Sequence, residues 1–150
     1  MPQSLTGLYA HLVFSTKNRK PWLDDLIRTK VHGYLAETVR NLSSNWVVVG
    51  GVADHVHLLF DLGKFVAPVK FVEQIKRESS KFVKTLGRQY SKFYWQRGYG
   101  MFSVSPRDLR VAEQYVRTQE EHHRKTTFQD EYRAMLAKYN IQFNELYVWD

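Results

Sequence analysis

Two short stretches hold the side chains best suited to chemistry. In Asp54-His55-Val56-His57-Leu58-Leu59-Phe60, the two-residue period of a strand sends Val56, Leu58 and Phe60 to one face and His55 and His57 to the other. Two imidazoles at i and i+2 can converge on one divalent cation and leave coordination positions free for a substrate oxygen. For the bare spacing, two surface histidines on a half-buried strand are the commoner case. In Gln114-Tyr115-Val116-Arg117-Thr118-Gln119, a helix stacks Tyr115 and Gln119 one turn apart, so a phenol and an amide oxygen can reach one point. Read alone, Tyr115 is an aromatic packing residue, one of nine tyrosines, and Gln119 a solvated helix residue. His122 and His123 follow on nearly the same face, roughly 10 to 12 Å further along an unbroken helix, too far to join that point unless the helix shifts. Imidazole is the better intrinsic ligand for Mn²⁺, so chemistry favours these histidines while geometry favours Gln119.

The elements that must position these groups follow from apolar periodicity. Leu8 to Ser15 reads as a strand, followed by a basic loop, Thr16 to Pro21. Leu23, Ile27, Val31, Leu35, Thr38 and Leu42 mark an amphipathic helix from about Leu23 to Leu42, ended by Ser43-Ser44-Asn45. Trp46 to Gly51 and His55 to Leu62 form a hairpin. Pro68 suits a helix start and Gly87 its C-cap, with Val69, Val72, Ile75, Ser79, Phe82, Val83 and Leu86 tracing one face. Phe93 to Val104 reads as an aromatic strand, Ser105-Pro106 as the start of a helix reaching about His123, Phe128 to Tyr139 as a last helix and Ile141 to Trp149 as an extended end. The order β-α-β-β-α-β followed by helices predicts one α+β domain over residues 1–150. It has a ferredoxin-like split βαβ antiparallel sheet, two helices on one face, the other face open, and a C-terminal helix bearing Tyr115.

Composition narrows the function classes. The 150 residues are 43% hydrophobic and 15% aromatic, enough to build a core without staples, and there is no cysteine, so disulfides, thiolate metal sites and cysteine nucleophiles are excluded. No apolar run approaches the ~20 residues of a bilayer span, and the start lacks a signal-peptide pattern, so a soluble, cytoplasmic protein is expected. The net charge is +7, and Lys64 to Arg97 alone holds nine basic and two acidic residues, which accounts for the whole excess. Lys70, Arg77, Lys81, Lys84 and Arg88 form a stripe opposite the apolar face of their helix. A single-signed stripe suits a phosphate-bearing partner, with Lys17, Arg19 and Lys20 of the first loop as further candidates, although charge alone does not separate nucleic acid from a membrane surface. Tyr94, Trp95 and Tyr99 could stack on unpaired bases, although core packing is the commoner use of such rings.

Together the opening strand LYAHLVFSTKNR, the motif DHVHLLF, the aromatic stretch WQRGYGMFSVS and the helix motif YVRTQ ending in EEHHRK resemble the single-tyrosine transposases of the HUH endonuclease superfamily. The resemblance spans nearly the whole chain. It implies that His55, His57 and Gln119 bind Mg²⁺ or Mn²⁺, that Tyr115 is the nucleophile, and that the substrate is single-stranded DNA with hairpins near the ends of an insertion sequence. It further implies a homodimer in which the tyrosine helix of one subunit completes the site of the other. Such an enzyme forms a 5′-phosphotyrosine, freeing a 3′-hydroxyl, and rejoins strands without ATP. Three rival readings are a nucleic-acid-binding module with incidental histidines, a host-retained relative that processes dispersed palindromic repeats, and a metal-dependent hydrolase using water.

Overall fold

In the computed structural model, which describes residues 2–42 and 45–150, the alternating segments pair into one antiparallel sheet. Its strands are β1 (Tyr9–Ser15), β2 (Val47–Gly51), β3 (His55–Asp61) and β4 (Gly100–Val104), in the spatial order β2-β3-β1-β4. Two long helices, α1 (Arg28–Leu42) and α2 (Pro68–Lys84), make the crossovers, and α3 (Leu109–Arg117), α4 (Gln119–His122) and α5 (Phe128–Lys138) follow. This is the α+β, ferredoxin-like split βαβ arrangement. None of the helices is long and apolar enough to cross a membrane, among the described residues.

Several boundaries differ from the periodicity. The first helix starts five residues later than Leu23, because the Asp24 side chain accepts from Leu26 N–H at 3.0 Å and sets the first turn there. Its expected end at Ser43-Ser44 lies outside the described residues. α2 stops at Lys84 and is capped by Thr85, not Gly87. Of the long aromatic strand only Gly100–Val104 is sheet; Phe93 and Trp95 instead turn into the core, where the Trp95 indole donates to Ser79 Oγ at 2.9 Å. Trp95 is therefore a packing residue, whereas Tyr94 is exposed beneath Lys84 Nζ. The end, residues 141–149, forms turns and no strand.

The two faces of the sheet are both buried but are built differently. Leu12, Phe14, Val56, Leu58 and Phe60 pack against Val31, Leu35 and Val39 of α1 and Phe71, Val72 and Ile75 of α2. The other face, expected to be open, is covered by α3, α4 and α5 of the same chain through Val116, Phe128, Tyr132 and Leu136. Register makes this cover possible. Across the sheet His57 pairs with Gly50 on one side and Val13 on the other, and Val13 pairs in turn with Gly100. A Cβ at Gly50 would strike the Val116 carbonyl, and one at Gly100 would strike the Tyr132 ring, so the two glycines let α3 and α5 settle on either side of His57.

Candidate active site

β3 delivers His55 and His57 to the covered face, and both are fully buried. β1 adds His11, in register with Leu59 and on the same face. The expected single helix from Ser105 to His123 is interrupted. Ser105 does cap it, accepting from Arg107 N–H at 3.3 Å, but Thr118 leaves helical geometry and its hydroxyl bonds back to the Gln114 carbonyl at 2.8 Å. The break ends α3 and starts α4, and His123, just past α4, reaches the cluster. α5 then places Glu131 under the cluster, where it is 3% exposed.

The hydrogen bonds orient every ring. His55 Nδ1 donates to Asp54 Oδ1 at 2.7 Å, His123 Nδ1 donates to the Thr126 carbonyl at 2.7 Å, and His57 Nδ1 shares a proton with His11 Nε2 at 2.7 Å. In the neutral imidazoles these partners leave the Nε2 lone pairs pointing inward. All three meet one carboxylate oxygen: Glu131 Oε1 lies 3.3 Å from His55 Nε2, 3.0 Å from His57 Nε2 and 3.1 Å from His123 Nε2. Gln119 gives its amide N–H to the Tyr115 carbonyl at 3.1 Å, which turns its Oε1 to His55 Nε2 at 3.2 Å. Glu131 Oε1 thus lies among three imidazole nitrogens and is hydrogen-bonded to His57 Nε2, while His123 Nε2 is buried without an aligned hydrogen bond.

The electrostatics show a carboxylate balanced by a protonated imidazole. Although burial opposes it, the carboxylates of Asp54 and Glu131 raise His55 to about 9. His57 is lowered to about 4 and His11 to about 3, chiefly by burial. Burial also opposes ionisation of Glu131, yet hydrogen bonds from His123, His55 and His57 hold its carboxyl well below the usual carboxylate range. A cation can take the place of these protons. His55, His57, His123 and Glu131 offer ligand atoms all within 4.8 Å of one another and form a group that can hold a metal ion. Octahedral coordination with bonds of ~2.1 Å puts neighbouring donors about 3.0 Å apart, the order of the three separations from Glu131 Oε1, and imidazole nitrogens with a carboxylate oxygen suit a divalent ion by chemistry.

Tyr115 reaches the same place from α3. Its phenol donates to Glu131 Oε2, and its ring centroid is 5.7 Å from that of His57. Burial and this hydrogen bond raise the phenol pKa well above its ordinary value. His122 Nε2 lies 3.4 Å from Glu131 Oε2, at the more exposed side. Of the basic candidates, Arg19 lines a groove beside the cluster together with Arg28, Asp54, His123, Arg124 and Lys125. Lys17 neighbours Arg19 in the same turn, and Lys20 lies over the Trp22 ring at 4.3 Å. Lys70, Arg77, Lys81, Lys84 and Arg88 belong to α2 and the turn after it, in the layer across the sheet from the histidines.

Sequence reasoning missed His11 and Glu131 and set His123 aside. For Glu131 a signal existed, because Phe128, Glu131, Tyr132 and Leu136 form the buried stripe of α5, and an acid on an apolar stripe needs a partner.

Comparison with known proteins supplies the family. Residues 4–119 match the family described as IS200-like transposase. No curated protein sequence matches. The fold is similar to that of a protein from Deinococcus radiodurans R1 for which transposase is the suggested activity, with TM-score 0.61, 21% identity, and coverage of 77% of this chain and 95% of that one. It is also similar to a REP-associated tyrosine transposase, solved bound to a REP hairpin, with TM-score 0.53, 14% identity, and coverage of 77% and 68%. The family match takes in His55, His57 and Tyr115, ends at Gln119, and covers well over half of the chain: the protein belongs to the IS200-like transposase family.

Proposed function

We propose that this transposase cleaves and rejoins single-stranded DNA at the ends of an insertion sequence, with Tyr115 as nucleophile and Mg²⁺ or Mn²⁺ held by His55, His57 and Gln119. The observation that carries the reading is the meeting of Tyr115 with the histidine cluster at Glu131, within a chain of the transposase family. The tyrosine oxygen forms a bond to phosphorus as the P–O3′ bond breaks; the phenolic proton is lost and the departing 3′ oxygen ends as a hydroxyl. Attack by another 3′-hydroxyl reverses the step and rejoins strands. A bound divalent ion supplies Lewis-acid polarisation of the phosphate. Asp54, His11 and the Thr126 carbonyl hold the three imidazoles with their Nε2 atoms turned inward, and the complete burial of His55 and His57 keeps bulk water from those nitrogens.

Arg19, Arg28, Arg124 and Lys125 in the adjoining groove suit the strand entering the site, with Lys17 and Lys20 beside them. The stripe of Lys70, Arg77, Lys81, Lys84 and Arg88 is assigned to the hairpin stem, a partner for which the likeness to the hairpin-bound transposase speaks. Because Tyr115 reaches the cluster of its own chain, one copy can assemble the site in cis. A homodimer exchanging tyrosine helices would assemble it in trans. Mixing Tyr115→Phe with His57→Ala protein restores activity only in trans assembly.

The experiment is incubation with a single-stranded oligonucleotide library and Mn²⁺, followed by denaturing gels. A covalent protein–DNA adduct in the parent and none in Tyr115→Phe is the expected result. Metal-independent binding with no adduct would instead make the chain a binding module, and cleavage without an adduct would make water the nucleophile.

A further inference from the structure

Glu131 lies outside the family-matched residues 4–119, yet it is the most connected side chain in the site. Its two oxygens do different things. Oε1 faces three inward-turned imidazole nitrogens at 3.0 to 3.3 Å, while Oε2 accepts the Tyr115 phenol and has His122 Nε2 3.4 Å away. A buried carboxylate in that place is costly unless cations or protons compensate it. It is carried on α5, which Thr127 caps by accepting from Asp130 N–H at 3.2 Å.

Resting on the metal-dependent reading above, we infer that Glu131 bridges the metal ion and the nucleophile. Oε1 joins His55, His57 and His123 as a ligand, and Oε2 positions the Tyr115 phenol beside the ion. Gln119, a ligand in the reading above, keeps its Oε1 3.2 Å from His55 Nε2 and stays in the set. The C-terminal helix is thereby a working part of the site and not only its cover. Glu131 is a positioning residue for Tyr115, since it touches the tyrosine and not the phosphate. His123 enters the ligand set because its Nε2 is 3.1 Å from Oε1, and the Thr126 carbonyl takes its other proton.

The test uses the full chain and two readouts besides cleavage. Mn²⁺ is titrated calorimetrically into the parent, Glu131→Gln and His123→Ala. The Tyr115 Cζ resonance, identified by its loss in Tyr115→Phe, is followed by NMR during Mg²⁺ addition. Glutamine has the same shape, and its amide N–H can donate to a bare imidazole nitrogen, so Glu131→Gln is expected to fold; thermal melting checks this. The inference expects Mn²⁺ binding weakened about tenfold or more in both ligand variants. It also expects a Tyr115 resonance that moves with Mg²⁺ in the parent and stays put in Glu131→Gln. Unchanged Mn²⁺ affinity in Glu131→Gln overturns the inference while leaving the proposed function standing. Weakened affinity with a tyrosine that still responds to Mg²⁺ as in the parent overturns the bridge. A parent that binds no Mn²⁺ overturns both the inference and the metal dependence of the proposed function.

Discussion

The two faces of the same sheet make an instructive pair. Strands β1 and β3 supply both, and both are sealed, yet one is lined by Leu12, Phe14, Val56, Leu58 and Phe60 and the other sets His11, Ser15, His55 and His57 among Val13 and Leu59. The apolar face is covered by helices of 15 and 17 residues, the polar face by helices of 9, 4 and 11. Apolar burial is non-directional and tolerates many partners, so long amphipathic helices suffice. Buried imidazoles need a particular acceptor or donor at each nitrogen, and these come from separate places: Asp54, His11, the Thr126 carbonyl, Gln119 and Glu131. Short helices with breaks can deliver such groups individually. The comparison teaches that one face holds the fold and the other holds the chemistry, and it can be broken by substitutions that treat the faces alike.

The largest effect belongs to Tyr115→Phe. Loss of one oxygen should abolish the covalent adduct on denaturing gels, while stability in urea falls by about 1.5–3 kcal/mol, the usual range for a hydrogen bond to a charged group. Next is a pair across the sheet. Phe60→Ala should cost about 3–5 kcal/mol of stability, whereas His57→Ala should remove Mn²⁺ binding with a smaller loss. If urea unfolding gave the two variants equal losses, the division of labour between the faces would not hold.

A smaller effect separates the two glycine environments. Gly50→Ala forces α3 away from β2 and should cost about 1–3 kcal/mol as overpacking, with a matching drop in adduct yield. Gly33, exposed on α1 with open space around it, is the control: Gly33→Ala should be neutral or stabilising by up to about 1 kcal/mol. Equal behaviour would mean that α3 does not depend on the missing Cβ.

Acidification probes the edge of the apolar layer. His32 is lowered to about 4 by burial and then by the Arg28 charge, so between pH 6.5 and 4 the unfolded chain binds its proton more readily than the folded one. Stability contributed by neutral His32 is therefore present above 6.5 and lost as the pH falls through 4, at no more than about 1.4 kcal/mol per pH unit. His32→Gln should flatten melting temperature against pH in that window relative to the parent. The smallest effect is on the outer surface of α2: Lys81→Glu with Lys84→Glu should reduce the salt slope of hairpin binding by about one unit per lost phosphate contact. Identical slopes would place the stripe on an unused face.

How far the site was legible differs residue by residue. His55 and His57 were readable because a strand has a period of two, and the flanking Val56, Leu58 and Phe60 decide which face is which. Tyr115 and Gln119 were readable as neighbours one helical turn apart, and the Gln119 side-chain amide does donate to the Tyr115 carbonyl at 3.1 Å. Trp95 was ambiguous, because an aromatic ring near a basic segment serves stacking or core packing equally well until its neighbours are known; Ser79 and Phe14 are those neighbours. His123 could not be placed from spacing, since one departure from helical geometry at Thr118 moves everything after it.

The sequence by itself determined the strands and crossover helices, the face carrying the histidines, the pairing of Tyr115 with Gln119 and the location of the positive charge. Each of these depends on neighbours within a few residues, where backbone periodicity dictates direction. Tertiary structure alone decided that α3, α4 and α5 close over the histidine face, that Gly50 and Gly100 make room for them, and that Glu131 lies between the imidazoles and Tyr115. His57 and Glu131 are 74 positions apart, and no local pattern joins them. What joins them is the requirement that buried lone pairs and charges find partners, a condition that exists only once the chain has folded.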